Sequence, residues 1–583
     1  MAKLLKYLKP KEWLFALFAA GFIVLQVWLE IKIPDYMATL TAVITGSGGG
    51  MRDIWINGAY MLACAVGSVA SSVITAFFVA RIASDFTARI REKLYCKVQS
   101  FSLEELNRFS TASLITRTTN DVQQVQMLIA MGLQILIKAP VTAVWGICVI
   151  AGKQWQWSVA TAVAVAVMLL CFAVMLLLVY NKFRKMQRLT DDLNRVTREN
   201  LTGLRVIRAY NAESYQERKF AAVNDEYTKT NLFTGRVMTF LSPFLSVVMM
   251  GLNIAIYWIG AALINGTQSA AEAYVLLSDM VVFMSYGMLI VSAFIMLAMV
   301  FMFMPRALVS ARRIREVLET ECRVKDGGGV GETEETGTVT FENVRFRYPD
   351  GGEDVLTDIN FTAKKGQTVA FIGSTGCGKS TIVNLVSRFY DVTEGSVSVD
   401  GHDVRSYTKE ELNKKVSYVS QKAVLFSGSI RSNIDFGDND ATDEEIKRAV
   451  EIAQSTDFVL KKEDGYDGHV AQNGSNFSGG QKQRLSIARA VARDAEIYIF
   501  DDTFSALDYQ TDKNLRAALR KEIPEATFLI VAQRIGTIKD ADLILVLEDG
   551  KIVGAGSHEE LLKTCATYFD IAKSQLTEEE IHV

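Results

Sequence analysis

Cysteine and histidine are the scarce residues of this 583-residue chain. Its seven cysteines, Cys64, Cys96, Cys148, Cys171, Cys322, Cys377 and Cys565, are scattered and form no CxxC pair. That excludes a zinc pattern, a redox pair and a disulfide scaffold. The four histidines, His402, His469, His558 and His582, are equally dispersed and build no metal cluster from neighbours. Charge of one sign is lacking too. The net charge is −3, so no basic excess points to nucleic acid. Polarity is short overall: 50% of residues are apolar, 22% are charged, and the mean hydropathy is +0.18. Over this length such a balance marks membrane segments and excludes disorder, collagen and a purely soluble enzyme. At roughly 150 residues per domain, more than one domain is expected.

The apolar excess is confined to the first half. Six stretches are long enough to cross a bilayer, at about 13–45, 54–83, 122–150, 157–181, 237–264 and 273–304. Pro34 and Asp35 interrupt the first and are expected to shorten it. No signal peptide is expected, because this span is too long for an h-region and no cleavage site follows. Lys and Arg crowd the N-terminus and the segments 84–121 and 182–236, whereas the alternate loops carry Arg52, Lys153 or none. By the positive-inside rule both termini face the cytoplasm. The two long basic segments show helical apolar spacing, as at Leu201, Leu204, Ile207 and Tyr210. The membrane helices are therefore expected to run on into the cytoplasm and turn there. No charge is expected deep in the spans. Asp35 and Asp279 read as interfacial, and so do Glu30 and Lys32 if the first span ends near Pro34.

Residues 1–305 thus read as a transmembrane domain and 306–338 as a linker, with Gly327, Gly328, Gly329 and Gly331. From 339 to 583 short β-branched runs alternate with polar helical stretches, as in an α/β domain. Within it, Gly373-Ser374-Thr375-Gly376-Cys377-Gly378-Lys379-Ser380-Thr381 matches GxxxxGK[ST] between an apolar strand and a helix. Its glycines let backbone N–H groups approach phosphates, Lys379 reaches the β- and γ-phosphates, and Ser380 ligates Mg²⁺. Cys377 reads as a small tolerated residue. The strand Glu496–Phe500 ends in Asp501, the acid that a P-loop needs to orient Mg²⁺. Ser478-Gly479-Gly480-Gln481 opens a further helix and makes a second anion cradle. One P-loop does not need two cradles, so two chains are expected to pair head to tail.

P-loop, Phe477-Ser478-Gly479-Gly480-Gln481 and strand–Asp, in this order behind six spans, resemble an ATP-binding cassette (ABC) exporter half-transporter. The resemblance covers nearly the whole chain. It implies an α-helical membrane domain plus an α/β P-loop ATPase domain, with ATP and Mg²⁺ as cofactors. It further implies that Tyr348 stacks on adenine and that Gln421 touches Mg²⁺ and the γ-phosphate. Asp508 falls in a D-loop, and 103–112 and 204–216 resemble coupling helices that dock on cassettes.

Two positions depart from the family. Where it has a Glu that polarises water, Asp502 stands; where it has a His, Gln533 stands. Asp is one methylene short, roughly 1.5 Å of reach, and a base must lie within hydrogen-bond reach of its proton. Gln533 donates a hydrogen bond but carries no charge. The pattern resembles the degenerate-site subunit of bacterial heterodimeric multidrug exporters. It implies a homologous partner with the catalytic Glu and His, whose ATP is completed by Ser478 to Gln481. The competing reading is that Asp502 serves as a working base.

The last span carries Met280, Met284, Met288, Met296, Met299, Met302 and Met304 with Phe283, Phe294, Phe301 and Phe303. Such residues suit an adaptable cavity for hydrophobic or amphipathic small molecules; ordinary helix and lipid contact is the alternative. A lipid or peptide exporter shares the scaffold, although no peptidase domain precedes the first span. A nucleotide-gated channel or regulatory subunit also fits Asp502 and Gln533.

Overall fold

A computed structural model describes residues 2–44, 50–151, 154–331, 333–349, 351–437 and 441–577. Lys153, His582 and the side chains of Phe301, Met302 and Phe303 lie outside this description. The chain divides into two units, Met1–Gln99 with Ala112–Thr320, and Ser100–Thr111 with Glu321–Val583.

The helices of the first half are α1 (Pro10–Ile44), α2 (Met51–Gln99), α3 (Leu103–Phe109), α4 (Thr111–Ala151), α5 (Trp155–Thr202), α6 (Leu204–Ala209), α7 (Glu213–Asn265) and α8 (Ala270–Glu319). Six of them are long and apolar enough to span a membrane, and the six expected spans fall on them. Helices α2, α5, α7 and α8 have 49, 48, 53 and 50 residues. At 1.5 Å per residue they are roughly 70–80 Å long, against about 30 Å of hydrocarbon. Apolar residues on α2, such as Leu62, Val66, Val69 and Val73, stay exposed, as lipid-facing surface must.

Between helices the packing is tight. Trp157 is fully buried and donates its indole N–H to the Ile256 carbonyl at 3.1 Å. A Cβ at Gly260 would lie 2.6 Å from the Met280 sulfur, so only glycine admits this approach. At Arg117–Asp121, α4 makes a π-helical turn. There Asp121 accepts from Ser310 at 2.8 Å and Arg117 donates to the Arg313 carbonyl at 2.8 Å, tying α4 to α8.

Two expectations for the membrane half are corrected. Helix α1 does not end near Pro34 but continues to Ile44. Asp35 is tolerated inside it because its carboxylate is met by the Tyr286 hydroxyl at 2.7 Å and by Lys32 at 3.1 Å. The spans also do carry charge at depth. Lys138, about two-thirds of the way along α4, is ion-paired to Glu30 of α1 at 2.9 Å.

Residues 306–319, read from sequence as the start of a linker, are helical as the end of α8. Beyond Thr320 the chain straps onto its own second unit. Gly327 and Gly329 donate to the carbonyls of Tyr407 and Ser406, and Thr338 donates to Asp400.

That second unit contains β1 (Val339–Phe346), β2 (Leu356–Ala363), β3 (Thr368–Gly373), α9 (Lys379–Val386), β4 (Glu394–Val399), β5 (His402–Asp403), β6 (Val416–Val419), β7 (Gly428–Ser429), β8 (His469–Val470), α10 (Gly479–Val491), β9 (Ile497–Asp501), α11 (Tyr509–Glu522), β10 (Thr527–Val531), β11 (Leu543–Glu548), β12 (Lys551–Gly556) and α12 (Ala566–Gln575). A six-stranded sheet runs β12-β11-β3-β10-β9-β6, with only β12 antiparallel to its neighbour. Strands β9 and β10 are buried along their whole length, so they read as unbroken apolar runs. A four-stranded antiparallel sheet runs β2-β1-β4-β5. The short α3 belongs to this unit. Its Asn107 amide donates to the Tyr390 hydroxyl at 3.2 Å, and Glu104 pairs with Arg323 at 3.0 Å.

Candidate nucleotide site

In an open parallel sheet, ligands bind beyond the carboxyl ends of the strands. Four neighbouring strands, β3, β10, β9 and β6, are followed there by the P-loop, Gln533, Asp501-Asp502 and Gln421. The register places Val531 beside Asp501 and Val419 beside Phe500, so these segments emerge level with one another.

Backbone conformation shapes the P-loop. Gly376 and Gly378 have φ of 88° and 100°, which side-chain-bearing residues rarely adopt. A Cβ at Gly378 would also lie 2.6 Å from Leu356. The loop opens α9, whose N-terminal backbone N–H groups and dipole favour an anion. The Lys379 ammonium donates to the carbonyls of Gly373 at 2.8 Å and Ser374 at 2.7 Å, with the buried Cys377 sulfur 3.7 Å away. Ser380 donates to Asp501 at 2.7 Å, which brings together two residues read as Mg²⁺ ligands. The Tyr348 hydroxyl lies 3.0 Å from that of Thr381, and its ring stands edge-on to Tyr390 at 5.2 Å.

The carboxylates divide the electrostatics. Burial pushes the Asp501 carboxyl above its ordinary pKa, against the opposing pull of the Ser380 and Tyr418 hydroxyls. Asp502 sits in the left-handed region at φ 47° and is 7% exposed. Its Oδ2 accepts the side-chain amides of both Gln421 at 2.9 Å and Gln533 at 2.8 Å. The two departures from the family therefore touch each other.

Ser478 stands apart from this cluster. It caps α10, with its side chain accepting from the Gln481 N–H in a reciprocal capping box. Ser478 and Gly479 are exposed, and Phe477 beneath them packs edge-on against Phe458 at 6.2 Å. A Cβ at Gly480 would lie 3.3 Å from the Ala506 carbonyl. Asp508 caps α11 through the Thr511 N–H at 3.0 Å, which holds its carboxyl below the usual range. Among the described residues no hydrogen bond joins Ser478 to Gln481 with the P-loop.

Two residues escaped the sequence reading. Tyr418 points its hydroxyl at Asp501, 3.0 Å away, and burial pushes its phenol far up, so it stays a neutral donor. Its position three residues before Gln421 was the available signal. Gln575, at the end of α12, donates to the Gln533 carbonyl at 2.9 Å and accepts the Ile535 N–H at 2.8 Å. Nothing local marks it, since its partners are 42 and 40 residues distant.

A P-loop, an acid-ended strand two places along the same sheet and six helices long and apolar enough to span a membrane define a transport ATPase of the membrane. Residues 16–294 match the ABC transporter transmembrane region, and residues 356–505 match the ABC transporter family. An uncharacterised ABC transporter ATP-binding protein of Mycobacterium tuberculosis is 37% identical, over 93% of each chain. The uncharacterised ABC transporter ATP-binding protein YfiB of Bacillus subtilis is 34% identical over 99% of each. The ATP-dependent lipid A-core flippase of Pseudomonas aeruginosa is 30% identical over 96% of this chain and 93% of its own. The structure of a bacterial Atm1-family ABC exporter with ATP bound shares the fold, with TM-score 0.80, 24% identity, and 97% and 98% coverage. The chain belongs to the ABC transporter family, as a multi-pass membrane protein with an ATP-binding domain and the exporter fold.

Proposed function

We propose that this chain is one half of a heterodimeric exporter that uses ATP to move hydrophobic or amphipathic compounds. The termini and ATPase domain lie in the cytoplasm, a reading supported by the Lys and Arg distribution. Tyr348 stacks on adenine, and Gly373 to Thr381 cradle the phosphates. Ser380, Asp501 and Gln421 hold Mg²⁺ through the nucleotide, and Ser478 to Gln481 close on the partner's ATP.

The observation that carries the heterodimer is the Gln421–Asp502–Gln533 contact. A water-polarising base needs a free acceptor within reach of its proton. One oxygen of Asp502 is occupied by two amides, and the Gln533 amide points at Asp502. Such a site binds ATP and turns it over slowly, while the partner's Walker motifs, joined to the signature here, do the hydrolysis. The supporting experiment is ATPase activity in nanodiscs, with this chain alone and co-expressed with its genomic neighbour. Low activity alone and strong activity together is the expected result. A robust homodimeric ATPase overturns it.

A lipid-like substrate is the second reading for the cargo, favoured by the relatives named as lipid A-core flippases. The membrane unit offers a cavity of about 500 Å³ whose lining includes Met238, Met249, Met250, Met288 and Met299, flexible side chains that accommodate either cargo.

A further inference from the structure

The Lys138–Glu30 pair stands out in the membrane unit. Each residue lies roughly 20 Å from the near helix end, Ile44 for Glu30 and Ala151 for Lys138. Both residues thus lie well within helices long and apolar enough to span a membrane. Glu30 shares its helix face with the buried Ile23, Gln26, Val27 and Pro34, so it faces the bundle interior. Its Oε1 accepts from Gln26 at 2.9 Å, Ser68 at 3.1 Å and Lys138 at 2.9 Å. The pair is accessible nonetheless, with side-chain exposures of 23% for Glu30 and 18% for Lys138. Gln26 is 5% exposed, and its Oε1 is buried with no hydrogen-bond partner. A buried acceptor left unpaired is costly, and a donor brought from elsewhere would relieve it.

One helical turn from Lys138, on the same face of α4, an apolar cavity begins. Ile135, Met131, Leu128 and Met127 line it, with Met299 and Val300 of α8 opposite. A mostly apolar cavity one helical turn from a neutral pair of opposite charges is the negative image of a particular kind of molecule. A ligand with one charge would split the pair and leave the other half uncompensated in a low dielectric. A ligand bearing both charges would exchange partners with no charge left over.

We propose that Glu30, Lys138 and Gln26 form a headgroup site for a zwitterionic amphiphile. Its anionic group pairs with Lys138, its cationic group with Glu30 and the free Gln26 oxygen, and its alkyl chain lies along Met127 to Ile135. The site sets substrate class, and the proposal rests on the reading of the chain as an exporter of amphiphiles.

The test uses the full chain in nanodiscs, with the co-expressed neighbour where they co-purify. Three dansyl-alkyl probes of equal chain length carry phosphoethanolamine, carboxylate or primary ammonium heads, so that each cationic head is an N–H donor. Binding is read by dansyl fluorescence and transport by ATP-dependent uptake into inverted vesicles. The wild type is expected to bind the phosphoethanolamine probe about tenfold more tightly than either singly charged probe. Lys138→Met should shift the preference to the ammonium probe and Glu30→Gln to the carboxylate probe. The swap of Glu30→Lys with Lys138→Glu keeps a pair, and so a fold, and should keep the phosphoethanolamine preference. Equal binding of all probes, or variants that leave the ranking unchanged while uptake persists, overturns the headgroup site and leaves the exporter reading standing. Absence of ATP-dependent uptake of every probe by the wild type overturns both.

Discussion

A carboxylate that serves a cation is a liability until the cation arrives. Asp501 is buried, and its carboxyl is pushed above its ordinary pKa, so the folded state binds its proton more tightly than the unfolded chain does. Its contribution to stability is therefore greatest at low pH and is lost as pH rises through the folded pKa. Asp501→Asn is expected to raise the thermal midpoint of the nucleotide-free protein at pH 7 while abolishing Mg²⁺-dependent ATP binding. The difference in midpoint between variant and wild type should shrink as pH falls toward and past the raised pKa. Scanning calorimetry across pH checks the sign; a gap that widens on acidification would refute the assignment. Tyr418→Phe removes a hydrogen bond to the same carboxylate. It is expected to raise the Mg²⁺ concentration for half-maximal ATP binding at this chain's own site by about tenfold, as a bond to a charged group of roughly 1.5 kcal/mol implies. Asp502→Glu with Gln533→His restores both reach and charge. ATP turnover at this chain's own site should rise by about 10²-fold, the lower end of what a positioned base contributes. Single-turnover assays in a complex whose partner site is inactivated give the readout.

At the scale of elements, legibility followed distance along the chain. The P-loop was readable because strand, loop and helix are consecutive and the glycines are forced by geometry. Asp501 was readable as a strand end, and Gln421 only through the family resemblance. Pro34 was misread because a proline in isolation reads as a breaker, yet α1 continues through it, with the adjoining Asp35 met by Tyr286 of α8. Lys138 was missed since a single lysine in an apolar run gains meaning only from Glu30, 108 residues away. Gln575 belongs to the same group. Because it clasps the backbone on both sides of the Gln533–Ile535 turn, Gln575→Ala is expected to slow single-turnover hydrolysis at this chain's own site several-fold with little change in ATP affinity. Gln575→Glu keeps the acceptor for Ile535 but loses the donor, and should fall between. An equal loss of binding and turnover would reduce its role to folding. Helix α6 offers the contrasting case of exposure. Tyr210 after it is 79% exposed and Val206 is 61% exposed, an apolar tip at the end of two long helices. Tyr210→Ala should leave basal ATP binding intact and weaken substrate stimulation of ATPase, which separates a coupling surface from a merely solvated turn.

For the whole molecule, the question is whose ATP each motif serves. In the heterodimer proposed above, Ser478→Arg is expected to cut turnover by about 10²–10³, the usual cost of losing an oriented donor at a phosphate. On the same proposal, Asp502→Asn should change it less than about twofold, since a slow site does not set the rate. The reverse ranking would move hydrolysis onto this chain.

The length of α7 has a mechanical meaning. A rigid rod of about 80 Å, anchored near one end in a viscous slab, converts angle into displacement. A tilt of about 2° at the anchored end carries the far tip sideways by about 3 Å, the width of one hydrogen bond. An arm of that length turns a small change of angle at one end into a displacement of molecular size at the other.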